Sequence, residues 1–127
     1  MAVGDRPVRL LLVDDEVGYL EVLGKRLRRR KFEVTTAVSG AEAIRAVRDH
    51  DFDAAVVDLK MEDMDGIELL KILRQMLPEL KVIMLTGHGS ERAARDGLAF
   101  GAFDYLMKPV DLEVLVARIN TALGRAV

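Results

Sequence analysis

The sequence predicts an α/β fold, in which five short parallel strands alternate with five helices in a single domain. Short apolar runs alternate along the 127 residues with longer stretches of helical periodicity, which is the pattern of βα units. Residues 8–13 are almost continuously apolar, as expected for a strand that is covered on both faces. Four of the apolar runs end abruptly at polar residues, and open α/β sheets bind their ligands at that edge.

The first βα unit begins with the strand at residues 8–13. A helix follows, because apolar side chains recur at helical spacing at Val17, Leu20, Leu23 and Leu27. The basic run at residues 28–31 should end this helix, where it would complement the negative end of the helix dipole. A solvated helix terminus explains this run better than a nucleic-acid patch does.

Four further strands and four further helices complete the alternation. Ser39, Asp65 and Asp111 precede three of the helices and can cap them through their side-chain oxygens. The helix at residues 91–100 is the weakest, because Gly97 inside it costs about 1 kcal/mol relative to Ala. The predicted strands are residues 32–37, 54–57, 82–85 and 103–107, and the helices that follow them are residues 40–50, 66–77, 91–100 and 112–123.

Composition narrows the classes of function. The formal net charge of −2 gives no reason to expect nucleic-acid binding, and the absence of cysteine excludes disulfides and cysteine nucleophiles. No apolar stretch approaches the roughly 18 residues that a transmembrane helix needs, and residues 1–7 lack the apolar segment of a secretion signal. We therefore expect a cytoplasmic protein with one domain over residues 1–127, a core over about residues 8–123, no membrane contact and no output domain.

The polar residues that end four strands should meet at one edge of the sheet. Asp14 and Asp15 follow the first strand, Asp58 the third, Thr86 the fourth and Lys108 the fifth. Adjacent carboxylates at the end of a buried strand repel each other, and desolvation adds to this cost. A divalent cation removes both penalties, and a site of carboxylates and water suits Mg²⁺ or Mn²⁺ rather than zinc. Alternatively, Asp14 and Asp15 form a loop pair in which one residue caps the following helix.

Asp58 strengthens the case for chemistry at this edge. A carboxylate at the end of a core strand is costly unless a magnesium ion or Lys108 neutralises it. A carboxylate held in this way can attack phosphorus and form an aspartyl phosphate. Phosphoryl transfer places charge on equatorial oxygens, which the cation, Lys108 and Thr86 Oγ could each contact. Alternatively, Asp58 is an acid in an ordinary βα loop, beside a loop threonine and a solvated lysine.

Together these residues carry a resemblance to a known family. The segments LLVDDE, VVDLKMEDMDG, VIMLTGHGS and GAFDYLMKP resemble the receiver domain of bacterial two-component response regulators, including the chemotaxis regulators. The resemblance covers the chain from about Val8 to Leu123. It implies a (βα)5 flavodoxin-like fold, which is a doubly wound parallel sheet with strand order 2-1-3-4-5.

The resemblance also implies a role for each site residue. Asp58 would accept a phosphoryl group from a phosphohistidine on a sensor histidine kinase or a histidine phosphotransfer protein. Asp15, Asp58 and the backbone carbonyl of Lys60 would bind Mg²⁺ directly, and Asp14 would act largely through water. Lys108 would contact the phosphoryl group and would precede a cis peptide bond to the proline that follows it.

Thr86 and Tyr105 would form a switch in a protein of this family. Thr86 would move to a phosphoryl oxygen and Tyr105 would change rotamer, which would alter the surface of the fourth helix, fifth strand and fifth helix. That surface would control a downstream protein target or an output domain, and it could form a phosphorylation-dependent homodimer. Alternatively, Tyr105 is a half-buried strand aromatic that packs on the fifth helix.

Three residues near the site occupy positions at which members of this family differ. Glu62 stands where the loop after Asp58 often carries proline. Lys60 and His88 occupy variable positions that, in the family, influence the lifetime of the phosphoryl bond. We expect Lys60→Ala to change the dephosphorylation rate, whereas His88 could equally be an exposed loop histidine.

Two other functions remain open on the sequence. A magnesium-dependent phosphatase would use an aspartyl nucleophile followed two residues later by a second acid, which the segment at residues 14–16 fits poorly. A receiver-like module that is never phosphorylated would not need all five site positions to be filled. We expect a signalling module rather than a turnover enzyme, and the Met1 start and short tail favour a stand-alone regulator over an excised domain.

Overall fold

The computed structural model describes residues 6–87 and 91–125, and within these ranges five strands alternate with five helices. Every predicted element is present, and its ends differ from the predicted bounds by at most two residues. The strands are β1 (Arg9–Val13), β2 (Glu33–Ala37), β3 (Ala54–Asp58), β4 (Lys81–Thr86) and β5 (Asp104–Met107). The helices are α1 (Val17–Arg29), α2 (Gly40–Asp49), α3 (Gly66–Met76), α4 (Glu91–Ala99) and α5 (Leu112–Ala122).

The strands form one parallel sheet in the order β2-β1-β3-β4-β5. This order confirms the doubly wound, flavodoxin-like fold. Val13 of β1 lies beside Val57 of β3, and Thr86 of β4 lies beside Met107 of β5. The residues that end or follow these strands therefore share the carboxyl edge of the sheet.

Two hydrophobic clusters cover the two faces of the sheet. Because side chains alternate along a strand, Val57 and Met84 belong to the cluster beneath α2 and α3, which we name the α3-side cluster. Val56 and Leu85 belong to the cluster beneath α1 and α5, the α5-side cluster. All five residues of β3 are buried, so this central strand carries its terminal aspartate into a largely dry environment.

The helix ends follow the predicted capping chemistry. The side chains of Ser39, Asp65 and Asp111 accept hydrogen bonds from the first turns of α2, α3 and α5. These bonds satisfy N–H groups that have no partner within the helix. The basic run at residues 28–31 lies at the end of α1, as the sequence predicts.

The first residue of α1 lies outside the core. Of the apolar residues at helical spacing, Val17 is 53% exposed, whereas Leu20, Leu23 and Leu27 are buried. His88 and most of the predicted loop around it lie outside the described residues. Among the described helices, none is long and apolar enough to cross a membrane.

Candidate functional site

Three aspartates meet at the carboxyl edge of the sheet. Asp14, Asp15 and Asp58 each offer a carboxylate oxygen, and these oxygens all lie within 4.8 Å of one another. The pairing of β1 with β3 produces this arrangement, because it sets the ends of the two strands side by side. The predicted acidic cluster is therefore present, and its all-oxygen donor set is of the kind that hard divalent cations prefer.

The cluster lies in an unusually buried setting. Within residues 6–87 and 91–125, the buried polar or charged residues are Asp14, Asp58 and Thr86, and all three lie at this edge. Burial, followed by the negative charge of Asp14, raises the pKa of Asp58 to about 6, although the ammonium of Lys108 opposes this shift. A carboxyl held so far above its ordinary pKa marks the site as electrostatically unbalanced.

Lys108 brings the positive charge to the site. Its Nζ lies 2.9 Å from Asp14 Oδ2, 2.8 Å from Glu16 Oε1 and 3.7 Å from Asp58 Oδ2. Burial alone would lower the pKa of Lys108, but the hydrogen bonds to Glu16 and Asp14 outweigh it and the pKa is raised. Lys108 is thus near Asp58, as predicted, but it forms hydrogen bonds with the other two acids. The peptide bond between Lys108 and Pro109 is cis, which confirms that prediction.

Two further partners of Lys108 are not predicted from the sequence. Glu16 holds the ammonium from the exposed side, and this hydrogen bond lowers the pKa of Glu16. The centre of the Tyr19 ring lies 4.7 Å from Nζ of Lys108. The hydroxyl of Tyr19 accepts a hydrogen bond from the N–H of Val110. The available signal was the third acid of the DDE segment, with an aromatic residue one helical turn further along.

The structure rejects the alternative that Asp14 or Asp15 caps α1. Asp14 Oδ1 accepts from the N–H of Glu16 at 2.9 Å, and Glu16 precedes the first helical residue. Asp15 Oδ2 accepts instead from the N–H of Glu62 at 3.1 Å, in the loop after β3. Both aspartates are therefore tied to the site rather than to the helix.

The loop after β3 covers Asp58. The N–H of Lys60 lies 3.5 Å from Asp58 Oδ1, and Lys60 also bridges to Asp65 across the loop. A Cβ atom on Gly66 would lie 2.5 Å from the carbonyl oxygen of Asp58, so the close return of the chain requires glycine there. Lys60 thus lies near Asp58 through its N–H, and the role of its carbonyl as a cation ligand stays a prediction.

Thr86 and Tyr105 lie on the neighbouring strands. Thr86 is buried, and its Oγ1 donates a hydrogen bond to the carbonyl of Gly87 at 3.2 Å. Tyr105 is half-buried and packs on the α3-side cluster, in register with Met84. The alternative that Tyr105 packs on the fifth helix is wrong, because the next residue, Leu106, takes the α5 side of this strand. The switch role of both residues stays a prediction.

Comparison with known proteins agrees with this arrangement. Residues 10–120 match the response regulator receiver domain. The chain belongs to this family. It is 42% identical over 121 residues to the transcriptional regulatory protein GlrR of Escherichia coli (strain K12), a match that covers 95% of this chain and 27% of GlrR. It is 41% identical over 125 residues to the transcriptional regulatory protein PrrA of Mycobacterium tuberculosis, covering 98% of this chain and 54% of PrrA.

Solved receiver structures share the whole fold. A response regulator receiver domain protein from Clostridium thermocellum superposes with a TM-score of 0.88 at 34% identity, over 92% of this chain and 94% of that chain. A CheY-like receiver domain protein from Methanospirillum hungatei gives 0.88 at 33% identity, over 93% and 94%. The receiver domain spans about a quarter of GlrR and about half of PrrA. These relatives are named as transcriptional regulators, so the expectation of no contact with nucleic acid stays a prediction.

Proposed function

We propose that this receiver domain accepts a phosphoryl group on Asp58 from a phosphohistidine of a sensor histidine kinase or a histidine phosphotransfer protein. The observation that carries this proposal is the setting of the Asp58 carboxylate. It is 6% exposed, lies among the carboxylates of Asp14 and Asp15, and has the ammonium of Lys108 3.7 Å away. A phosphoryl group placed there would be met by both an acidic cation site and a fixed positive charge.

The transfer is a displacement at phosphorus. A carboxylate oxygen of Asp58 forms a bond to phosphorus while the phosphorus–nitrogen bond of the phosphohistidine breaks. The bonding pair returns to the imidazole nitrogen, which then takes up a proton from solvent. Asp58 must be deprotonated to act, and its pKa of about 6 leaves the carboxylate form dominant at neutral pH.

The acidic cluster supports a resident Mg²⁺, with Mn²⁺ as a substitute. Asp15, Asp58 and the carbonyl of Lys60 would hold the ion directly, and Asp14 would hold it through water. The ion would supply charge neutralisation for the carboxylates and for the phosphoryl oxygens. The clustering of the carboxylates of Asp14, Asp15 and Asp58 supports this assignment, because the single ammonium of Lys108 also binds Glu16 and cannot compensate all three.

Lys108 and Thr86 bind the transferred group. The ammonium of Lys108 moves from its carboxylate partners to one phosphoryl oxygen, and the hydroxyl of Thr86 turns from the carbonyl of Gly87 to another. Tyr105 lies on the strand beside β4 and packs against its residues, so it follows the movement of Thr86. Phosphorylation thereby alters the surface formed by α4, β5 and α5.

That surface is suited to contact a partner. Its exposed apolar side chains include Leu98 on α4, Met107 on β5 and Val114 on α5. A downstream protein target, an output domain or a second copy of the chain would bind there in a phosphorylation-dependent way. The transcriptional regulators among its relatives are consistent with an output of this kind.

The test is intact-mass measurement after incubation with acetyl phosphate. The native chain should gain the mass of one phosphoryl group only when Mg²⁺ is present, and Asp58→Asn should gain none. Asp96→Asn, which changes an exposed aspartate on α4, is the matched control and should behave as the native chain does. An adduct that persists in Asp58→Asn would contradict the assignment. The absence of both an adduct and a beryllofluoride-induced spectral change in the native chain would favour a module that signals without phosphate.

A further inference from the structure

The loop at residues 59–65 is fastened to the acidic cluster through a backbone group. The N–H of Glu62 donates to Asp15 Oδ2 at 3.1 Å. Proline has no N–H, so a chain with proline at this position could not make the bond. The orientation of Asp15 in this protein therefore depends on where the loop holds residue 62.

The next residue along the loop binds a different element. Asp63 Oδ1 accepts from the N–H of Gly40 at 3.0 Å, and Asp63 Oδ2 accepts from the N–H of Ala41 at 3.0 Å. These are the first two N–H groups of α2, which have no partner inside the helix. The N–H of Glu42 donates to the side chain of Ser39 instead. Ser39 and Asp63 therefore bind different N–H groups at the N-terminus of α2. The two bonds lower the pKa of Asp63 and keep it charged at the positive end of the helix dipole.

Met64 adds a packing contact at the same place. A Cβ atom on Gly40 would lie 2.5 Å from Cγ and Sδ of Met64, so the methionine lies directly over this glycine. Met64 also packs against the α3-side cluster. The loop is thus held on α2 by a two-oxygen hydrogen-bonding contact and by an apolar contact on adjacent residues.

We propose that Asp63 is a positioning residue for the cation site. By fastening the loop to the N-terminus of α2, it holds the N–H of Glu62 on Asp15 and keeps Lys60 beside Asp58. This inference rests on the proposed function, because the site that Asp63 supports is the one assigned to Mg²⁺. Asp63 itself contacts neither the ion nor the phosphoryl group.

The test is the Mg²⁺ affinity of the full chain, measured by calorimetry and by the amide NMR shifts of residues 15 and 62. Asp63→Ala should bind Mg²⁺ about tenfold more weakly or worse, as is typical when a partner behind the ligands is removed. Asp63→Asn keeps one acceptor oxygen and should fall between Asp63→Ala and the native chain. Asp49→Ala removes a carboxylate at the other end of the same helix and should leave the affinity unchanged.

A second pair of variants tests the same link if Asp63→Ala does not fold. Glu62→Pro removes the N–H that reaches Asp15 and should weaken Mg²⁺ binding, whereas Glu62→Ala retains the N–H and should not. Equal affinity of Asp63→Ala and the native chain, or of Glu62→Pro and Glu62→Ala, overturns the inference. Failure of the proposed function is distinct, because the native chain itself would then bind no Mg²⁺ and take up no phosphoryl group.

Discussion

The two ends of strand β3 carry two aspartates that are equally hidden and behave in opposite ways. Asp53 precedes the strand and Asp58 ends it, and their side chains are 7% and 8% exposed. The pKa of Asp53 is lowered to about 2, whereas that of Asp58 is raised to about 6. Burial pushes both pKa values upward, so the difference comes from the partners.

Asp53 is fully compensated at the amino edge. Arg6 donates two hydrogen bonds of 2.8 Å to its two oxygens, the N–H of Arg9 donates a third at 2.8 Å, and the Arg9 guanidinium lies at 3.4 Å. Asp58 instead shares the single ammonium of Lys108 with other acids and gains the charge of Asp14 as a neighbour. The carboxylate at the amino edge therefore stabilises the fold, whereas the excess of negative charge at the carboxyl edge costs stability.

The largest expected effect comes from removing the paired carboxylate. Asp53→Ala should lower the free energy of unfolding by about 3 kcal/mol, because Arg6 and Arg9 lose a charged acceptor in a partly buried site. The folded-state pKa of about 2 lies below the ordinary value of 3.8, so this stabilisation is present above about pH 4 and is lost as the pH falls through about 2. Urea titrations of both chains at neutral and acidic pH measure this. Asp51→Ala, next but one in sequence and exposed, is the control, and an equal loss there would refute the pairing.

Removing the charge of Asp58, at the carboxyl end of β3, should instead stabilise the chain. Without divalent cations at about pH 7.5, Asp58→Asn should raise the free energy of unfolding by about 2 kcal/mol, allowing for screening by water. The folded-state pKa of Asp58, about 6, lies above its ordinary value of 3.8. The free energy of unfolding of the native chain therefore falls as the pH rises from about 4 to about 6, because Asp58 must ionise in the buried site. The gain should therefore vanish near pH 4. Urea titrations that show no gain at neutral pH would mean that Asp58 is compensated after all.

Binding of Mg²⁺ should offset the stability cost of the acidic cluster at the Asp58 end of β3. At ten times its dissociation constant, Mg²⁺ should stabilise the native chain by about 1.4 kcal/mol, and a chelator should reverse the effect. Asp53→Asn should retain this response, because its carboxylate lies at the opposite edge, whereas Asp58→Asn should lose most of it. Melting temperatures with and without Mg²⁺ measure both, and an equal response of the two variants would place the cation elsewhere.

The smallest effect should follow from Glu16→Gln, which removes an exposed competitor for Lys108. The pKa of Asp58 should fall below about 6, because the ammonium is shared among fewer acids and one negative charge is gone. Folding stability should hardly change, since an exposed ion pair contributes little. A carbon-13 titration of the Asp58 carboxyl measures the shift, and an upward shift would show that Glu16 orients Lys108 towards Asp58.

The sequence predicted what depends on strand ends and periodicity. Asp14, Asp58 and Lys108 were predicted because each ends or follows an apolar run in the sequence, and the parallel order of the strands brings them together. The bond from Asp63 to α2 was not found, because it joins residues far apart in sequence through the reach of one side chain. The face occupied by Tyr105 was also missed, since a four-residue strand that is apolar on both sides does not fix its own phase.

The ion pairs of Asp53 were not predicted for the same reason, which is the large sequence separation of the partners. It has no motif of its own and looks like an ordinary loop acid, and its partners Arg6 and Arg9 lie 47 and 44 residues away. Lys108 was expected to be able to pair with Asp58, but its Nζ lies closer to Glu16, which directly precedes α1. The pairing of charged side chains depends on their rotamers and on the paths of the loops, and the spacing of residues in the sequence predicts neither.

The placement of the two tyrosines has an optical consequence. The chain has no tryptophan and two tyrosines, so its intrinsic fluorescence comes from Tyr19 and Tyr105. Tyr19 packs on the α5-side cluster beside Lys108, and Tyr105 packs on the α3-side cluster. Each face of the sheet thus carries one emitter close to the carboxyl edge. Replacing either tyrosine by phenylalanine isolates the signal of the other, and the unlabelled protein can then report on each face separately.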